Sequence, residues 1–277
     1  MKSFIKFIVF VIVTSLATTL AFKTWGSAMG FGVMVLSFMA LFIIYKAKIY
    51  TILGRQKYMK DHDAGFRLMQ KAYDTGKMNP QDALIYAYML LRDGHLDKSE
   101  RLITGIVHQN KHKLTPKNIL ASELNQAIIK WKKNDLAGAI EMMEGIYNKG
   151  YRSTVHYQTL GIFYLLNNNL DKAGSFIMEA MDFNSDDLSI RDNLGLLYIK
   201  KGDWEKAEAV YESIFDEASP TFIEAHYNYA TVLEHYGDWD NACKYYQKAL
   251  GCPERYLSTV KLSLVETALT RAEEHLK

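Results

Sequence analysis

Between Phe4 and Phe22 the chain is apolar almost without interruption, Lys6 being the one charge, and from Thr24 to Tyr45 it carries no charge at all. About 20 such residues, rising ~1.5 Å each as a helix, span a hydrocarbon layer of ~30 Å. Both stretches are that long, so the pattern predicts two membrane-spanning helices joined by a short turn over residues 23–27. Beyond residue 60 the pattern changes: apolar positions recur at intervals of three and four between charged ones, the period of amphipathic helices. The prolines Pro80, Pro116, Pro220 and Pro253 fall between these helices, where a missing N–H is tolerated.

The amphipathic region repeats itself. Leu170-Asp-Lys-Ala173, Trp204-Glu-Lys-Ala207 and Trp239-Asp-Asn-Ala242 recur at spacings of 34 and 35 residues. Leu136-Ala-Gly-Ala139 and Leu96-Asp-Lys-Ser99 continue the series backwards, and Gly94, Gly202 and Gly237 each stand two residues before such a segment. Upstream, Gly161 and Tyr164 correspond to Gly195 and Tyr198. Small residues at Gly161/Ala173 and Gly195/Ala207 allow two helices to approach closely within one hairpin. Each hairpin leaves an apolar face uncovered, so neighbours must stack on it and the last needs a cap.

This pattern resembles the tetratricopeptide repeat, a 34-residue helix–turn–helix unit, most closely over residues 154–250. The unit from Leu188 carries Leu194, Gly195, Tyr198, Ala207 and Tyr211; Ile214 stands where the family places a second small residue. The units from Pro80 and Leu120 are more degenerate. With the two spans read from hydropathy, the resemblance makes this an all-α protein: a transmembrane helical hairpin, then a right-handed α-solenoid with a C-terminal capping helix. The expected organisation is an anchor over 1–50, a connecting helix and degenerate first repeat over 51–79, about five units over 80–256, and the cap over 257–277. In the first repeat Gly65, Met69 and Ala72 mark the second helix. Leading into and along the cap, over 254–277, Tyr256, Val260, Leu264 and Ala268 recur every four residues.

Charge refines the anchor. The 277 residues carry a formal +2, but the first 60 hold eight Lys or Arg and no acid, leaving 25 basic and 31 acidic residues for the remainder. A membrane-proximal basic segment is thus joined to an acidic domain, which argues against nucleic acid as partner. Lys2 and Lys6 precede the first span; Lys46, Lys48, Arg55, Lys57 and Lys60 follow the second; the turn has Lys23 alone. By the positive-inside rule both termini and the repeats are cytoplasmic. A cleaved signal peptide ending near Thr19-Leu20-Ala21 is the rival, and would leave one span. Gly26, Gly30 and Gly32 suit close packing of one span on the other, or a dimer. Residues 4–50 are therefore expected to contact lipid.

Candidate chemistry is sparse. Cys243 and Cys252 are too far apart for a metal knuckle, and His108 and His112, four apart in a basic loop, lack further ligands. The expectation is no enzyme, no cofactor and no metal; a His-dependent metal-binding regulator is the weakest alternative. Trp204 and Trp239 share one repeat position and read as structural contacts. The sixth residue of four successive units is Asn125, Thr159, Asn193 and Asn228. The resemblance implies that this position faces the concave groove, where an amide holds a ligand's backbone through donor and acceptor together. Ile128, Ile162 and Leu196, with Leu165 and Ile199 beyond them, would form an apolar floor for a protein or peptide segment. A clamp for an acidic tail needs basic neighbours; Lys132 and Lys200 are candidates, but Asp192 and Glu224 oppose them. The expected function is a membrane-anchored adaptor, for instance in an envelope or secretion complex. A structural, self-assembling membrane component is the alternative.

Overall fold

The computed structural model describes residues 2–58 and 60–277, with side chains from Val9 onward. Among them are thirteen α-helices, a single 3-10 turn (Lys111–Lys113) and no strand. They fall into two compact units, residues 1–86 and 87–277.

In the first unit α1 (Lys2–Tyr58) is broken at Gly26, whose φ of 82° and ψ of 178° lie outside the helical region. At this break the chain turns so that Phe22 lies against Gly30, where a Cβ would sit 2.3 Å from the ring. Phe22 also meets Phe31 edge to face at 5.3 Å. Gly30 is therefore small because Phe22 occupies its side-chain space. Much of α1 is apolar yet uncovered, with Leu16 66%, Leu36 64% and Phe38 65% exposed. After Gly26 the helix continues without interruption to Tyr58 and packs on α2 (His62–Asp74). Asp61 caps α2 by accepting the Ala64 N–H at 3.0 Å. Gly65, Met69 and Ala72 are buried. The approach of the two helices is close: a Cβ on Gly65 would meet the Tyr58 backbone at 2.3 Å, and one on Gly54 would meet Met69 at 2.9 Å.

The repeat hairpins follow as α3 (Pro80–Arg92) with α4 (Leu96–Asn110), α5 (Pro116–Lys132) with α6 (Leu136–Asn148), and α7 (Thr154–Leu166) with α8 (Leu170–Phe183). Next come α9 (Leu188–Lys201) with α10 (Trp204–Glu217), α11 (Ile223–His235) with α12 (Trp239–Leu250), and a last helix α13 (Leu262–Glu274). Each turn inside a hairpin places one left-handed residue two positions before the second helix. That residue is Gly94, Gly202 or Gly237, or, at the equivalent places, Asn134 (φ 66°) and Asn168 (φ 54°). Asn tolerates this region better than other residues bearing a Cβ, which explains why the repeat survives where its glycine is lost. Local caps fix the starts of helices: Thr115 and Asn118 form a reciprocal capping box with Pro116 in the first turn, and Ser153 and Asp187 accept first-turn N–H groups.

Ala173, Ala207 and Ala242 are fully buried where paired helices touch. A Cβ on Gly195 would lie 2.6 Å from the Tyr211 ring, so this glycine makes room for a buried aromatic residue. Trp204 stacks on His235, and Trp239 on His275, with ring centroids 3.9 Å apart in both pairs. His275 thus meets Trp239 as His235 meets Trp204, and α13 stands where the first helix of a further hairpin would. The cap expected over 257–277 is helical only from Leu262 to Glu274. Residues 251–261 between α12 and α13 are non-helical, so Tyr256 and Val260 are not part of the cap's helical face.

Candidate functional site: a groove crossed by a strap

The first helices of successive hairpins line one cavity of about 360 Å³ in the second unit. Its apolar wall includes Ile128 and Trp131 from α5, and Ile162 and Phe163 from α7. The polar wall includes Gln158 and Thr159 from α7, Asp192 and Asn193 from α9, and Glu224 from α11. On the remaining side lie Arg255, Leu257, Ser258 and Thr259, from the segment between α12 and α13.

Of the nine expected groove residues, the structure brings Ile128, Thr159, Ile162 and Asn193 to this cavity. Leu165 is fully enclosed, because six residues from Thr159 fall about a third of a turn short of two full turns, which takes it off the groove face. Leu196 and Ile199 are partly buried, and Ile199 packs on the core of the last two hairpins. Asn125 is buried. The amide groups of the other two Asn residues tie adjacent repeats together. Asn193 Nδ2 donates to the Gln158 carbonyl at 2.9 Å, and Asn228 Nδ2 donates to Asp192 Oδ1 at 3.0 Å. The Thr159 hydroxyl donates to the Val155 carbonyl one turn earlier.

The electrostatics centre on Asp192. Its carboxylate accepts from Asn228 and from the Tyr211 hydroxyl, the latter at 3.0 Å. Burial pushes its pKa up to about 7; nearby Glu224 adds to the shift and the two hydrogen bonds oppose it. Lys132 is lowered to about 8, first by burial and then by Lys261, against the pull of Glu224. Its ammonium lies 4.0 Å from the Trp131 ring centroid and 5.2 Å from that of Tyr256. The segment containing Tyr256 is held firmly. The Thr259 N–H donates to Glu224 at 2.7 Å, and the Tyr256 ring fills the space where Gly94 lacks a Cβ. Sequence periodicity puts Tyr256 on a helix face because four-residue spacing looks the same in a helix and in a loop that happens to share it. The signal that reveals the loop is the connection itself: other second-to-first-helix connections from α4 onward take four or five residues, and this one takes eleven.

Elsewhere the chemistry is limited. Cys243 is buried and Cys252 half-buried, both as free thiols. Among the described residues no three His, Cys, Asp or Glu side chains come together as metal ligands. His156 and His226 are buried, each with Nε2 at 3.0 Å from a carbonyl, of Met143 and Pro220 respectively.

This is a solenoid of helical hairpins whose first helices line a shared groove. Over 93% of its length the chain is similar to 99% of a tetratricopeptide repeat protein from Parabacteroides merdae, with a TM-score of 0.62 and 12% identity. A thermophilic repeat protein from Thermus thermophilus aligns with 72% of the chain at a TM-score of 0.53 and 20% identity, over 99% of its own length. The chain thus has the fold of a tetratricopeptide-repeat solenoid. Residues 193–268 match a family described as a domain of unknown function (DUF6340). A stretch of 103 residues is 30% identical to the BBSome complex member BBS4 of Bos taurus, covering 36% of the chain and 19% of that protein.

Proposed function

We propose that the protein is a membrane-anchored scaffold that holds a segment of a partner protein in the groove formed by α3, α5, α7 and α9. The carrying observation is the cavity itself, where an apolar wall at Ile128, Trp131 and Ile162 faces polar groups at Thr159, Asn193 and Glu224. Such a combination suits an extended peptide: the apolar wall takes side chains while polar groups meet the backbone. With its amide nitrogen committed to Gln158, Asn193 offers a ligand its oxygen, an acceptor for a peptide N–H.

The apolar, uncovered surface of α1 supports the anchor, since exposed apolar area of this extent calls for lipid or protein cover. The helix is long and apolar enough to cross a membrane. The break at Gly26 divides it into two arms, read here as two spans with both termini cytoplasmic and the basic residues of 46–60 beside anionic headgroups. Confinement to the bilayer raises the partner's effective concentration without adding a contact.

The test is site-specific photocrosslinking in native membranes, with a benzophenone residue at Ile162 in the groove or at Met178, exposed on α8. A discrete adduct from position 162 that position 178 does not give is expected. Identical adducts from both positions would remove the groove reading. Digestion of the C-terminal unit by protease added to the outer face of intact cells would overturn the orientation.

A further inference from the structure

The groove is already crossed by part of this chain. Residues 251–261 use eleven residues for a step that the other hairpins make in four or five. The surplus crosses the first helices instead of following the outer surface. At one end the Glu224 carboxylate of α11 accepts the Thr259 N–H at 2.7 Å and its hydroxyl at 3.3 Å. At the other, the Tyr256 ring lies over Gly94 at the α3–α4 turn, where a Cβ would come within 2.9 Å of it. Gly202, at the equivalent turn of a later hairpin, has nothing within 4 Å of such a Cβ. Gly94 therefore meets two demands, a left-handed backbone and room for an aromatic ring. Lys132 sits between the Tyr256 and Trp131 rings and ties the strap to the groove's apolar wall. Within the strap Glu254 closes the loop, accepting the Leu262 N–H at 2.9 Å and pairing with Lys261 at 3.0 Å.

A segment held by a backbone N–H, a hydroxyl and one aromatic anchor is bound as peptide ligands are bound. We propose that residues 253–261 are a resident pseudo-ligand of the groove, and that the partner is a segment of the same chemistry that displaces it. That partner carries an aromatic residue to take the place of Tyr256 beneath Lys132. Three residues later it carries Ser or Thr, whose N–H and hydroxyl go to Glu224. The inference rests on the groove being the partner site. It adds which side chains the groove selects and which segment of the chain they must displace. A resident competitor lowers apparent affinity by the fraction of molecules in which it has left, so loosening it strengthens binding with no new contact.

The experiment uses the full chain in detergent micelles and a fluorescein-labelled peptide of residues 253–263, followed by anisotropy. Tyr256→Ala removes the strap's aromatic anchor and Thr259→Pro removes the N–H that Glu224 accepts; neither residue belongs to the helical wall. Amide hydrogen exchange at residues 257–261 reports release of the strap, and circular dichroism reports the helices. The expected result is that the peptide binds either loosened chain about tenfold or more tightly than the unaltered chain. A peptide with Ala in place of Tyr, or a chain that also carries Glu224→Gln, loses this gain. Equal binding to all chains, no binding to a chain whose strap exchanges freely, or unfolding of both variants would each overturn the proposal, the last by showing the strap to be a fixed part of the core. A partner adduct at position 162 that does not increase when the strap is loosened refutes the strap's role alone. Peptide binding to the loosened chain without any partner adduct refutes the partner reading and leaves the strap in place.

Discussion

Replacing Asp192 by Asn isolates the cost of a buried charge from the hydrogen bonds around it. The side chain of Asp192 is buried and accepts from Tyr211 and Asn228 through one oxygen, which the amide of Asn also provides. Its pKa rises from 3.8 to about 7 on folding. The folded state therefore keeps a proton that the unfolded chain releases, and the contribution to stability is full below pH 3.8 and declines as pH rises through 7. With each tenfold step in proton affinity worth ~1.4 kcal/mol, a dry, rigid site would make this decline ~4 kcal/mol. Relaxation and water entry reduce such values, so a change of at least ~1.4 kcal/mol sets the test. Urea unfolding of both chains, followed by tryptophan fluorescence at intervals from pH 4 to 8, gives the difference in stability between them. Other titrating groups cancel in that difference. Asp192→Asn is expected to gain steadily on the unaltered chain above pH 4. A difference that stays constant with pH would show that Asp192 ionises in the fold without penalty, and would refute the reasoning.

The remaining expectations concern packing, repeat coupling and the acid limb. Gly65→Ala should separate α1 from α2, at a cost of ~2 kcal/mol or more, because the obstructing atoms are the Tyr58 backbone. Gly30→Ala should cost less, since the Phe22 ring can turn aside; comparing thermal midpoints of the two variants checks the order. Asn193→Ala and Asn228→Ala each remove one bond between adjacent repeats, and each should cost ~1 kcal/mol in urea unfolding. If the pair together costs nothing, those bonds do not couple the repeats. Burial lowers the pKa of His156 and His226 below 6.5, so the unfolded chain takes up protons first and stability falls as pH drops below 6.5. His226→Gln, whose amide still reaches the Pro220 carbonyl, should weaken that fall in acid unfolding curves; an unchanged acid limb would count against it.

The hairpins were legible in the sequence because small residues and aromatic residues recur at fixed spacing, and the fold needs both at each contact. Gly195 and Tyr211 show this directly, one leaving the space that the other fills. The left-handed turn was legible at Gly94, Gly202 and Gly237. At Asn134 and Asn168 it was masked, because Asn is common in many other settings. The groove was half legible. Helical spacing put Thr159 and Asn193 on one face, but it does not say which amide hydrogen is already used by the preceding helix. Asp192 and Glu224 looked like an objection to an acidic ligand; they prove to organise the polar side of the cavity and the strap. The strap itself escaped because its contacts join residues far apart in the chain, such as Gly94 and Tyr256, and no local period records such a meeting.

The unbroken run of α1 from Gly26 to Tyr58 has a practical consequence for anyone trimming the protein. The last turns of α1 serve as the first helix of the first hairpin, with Gly54 under Met69, Tyr58 under Gly65 and Arg55 3.6 Å from Asp82. A cut placed after the last basic residue of that helix, just before α2, would strip α2 of its partner and leave Met69 and Ala72 facing water. Secretion, solubility and display experiments therefore need a boundary inside the helix, upstream of Tyr50. The protein has no seam between its greasy end and its first repeat, only a helix shared by both.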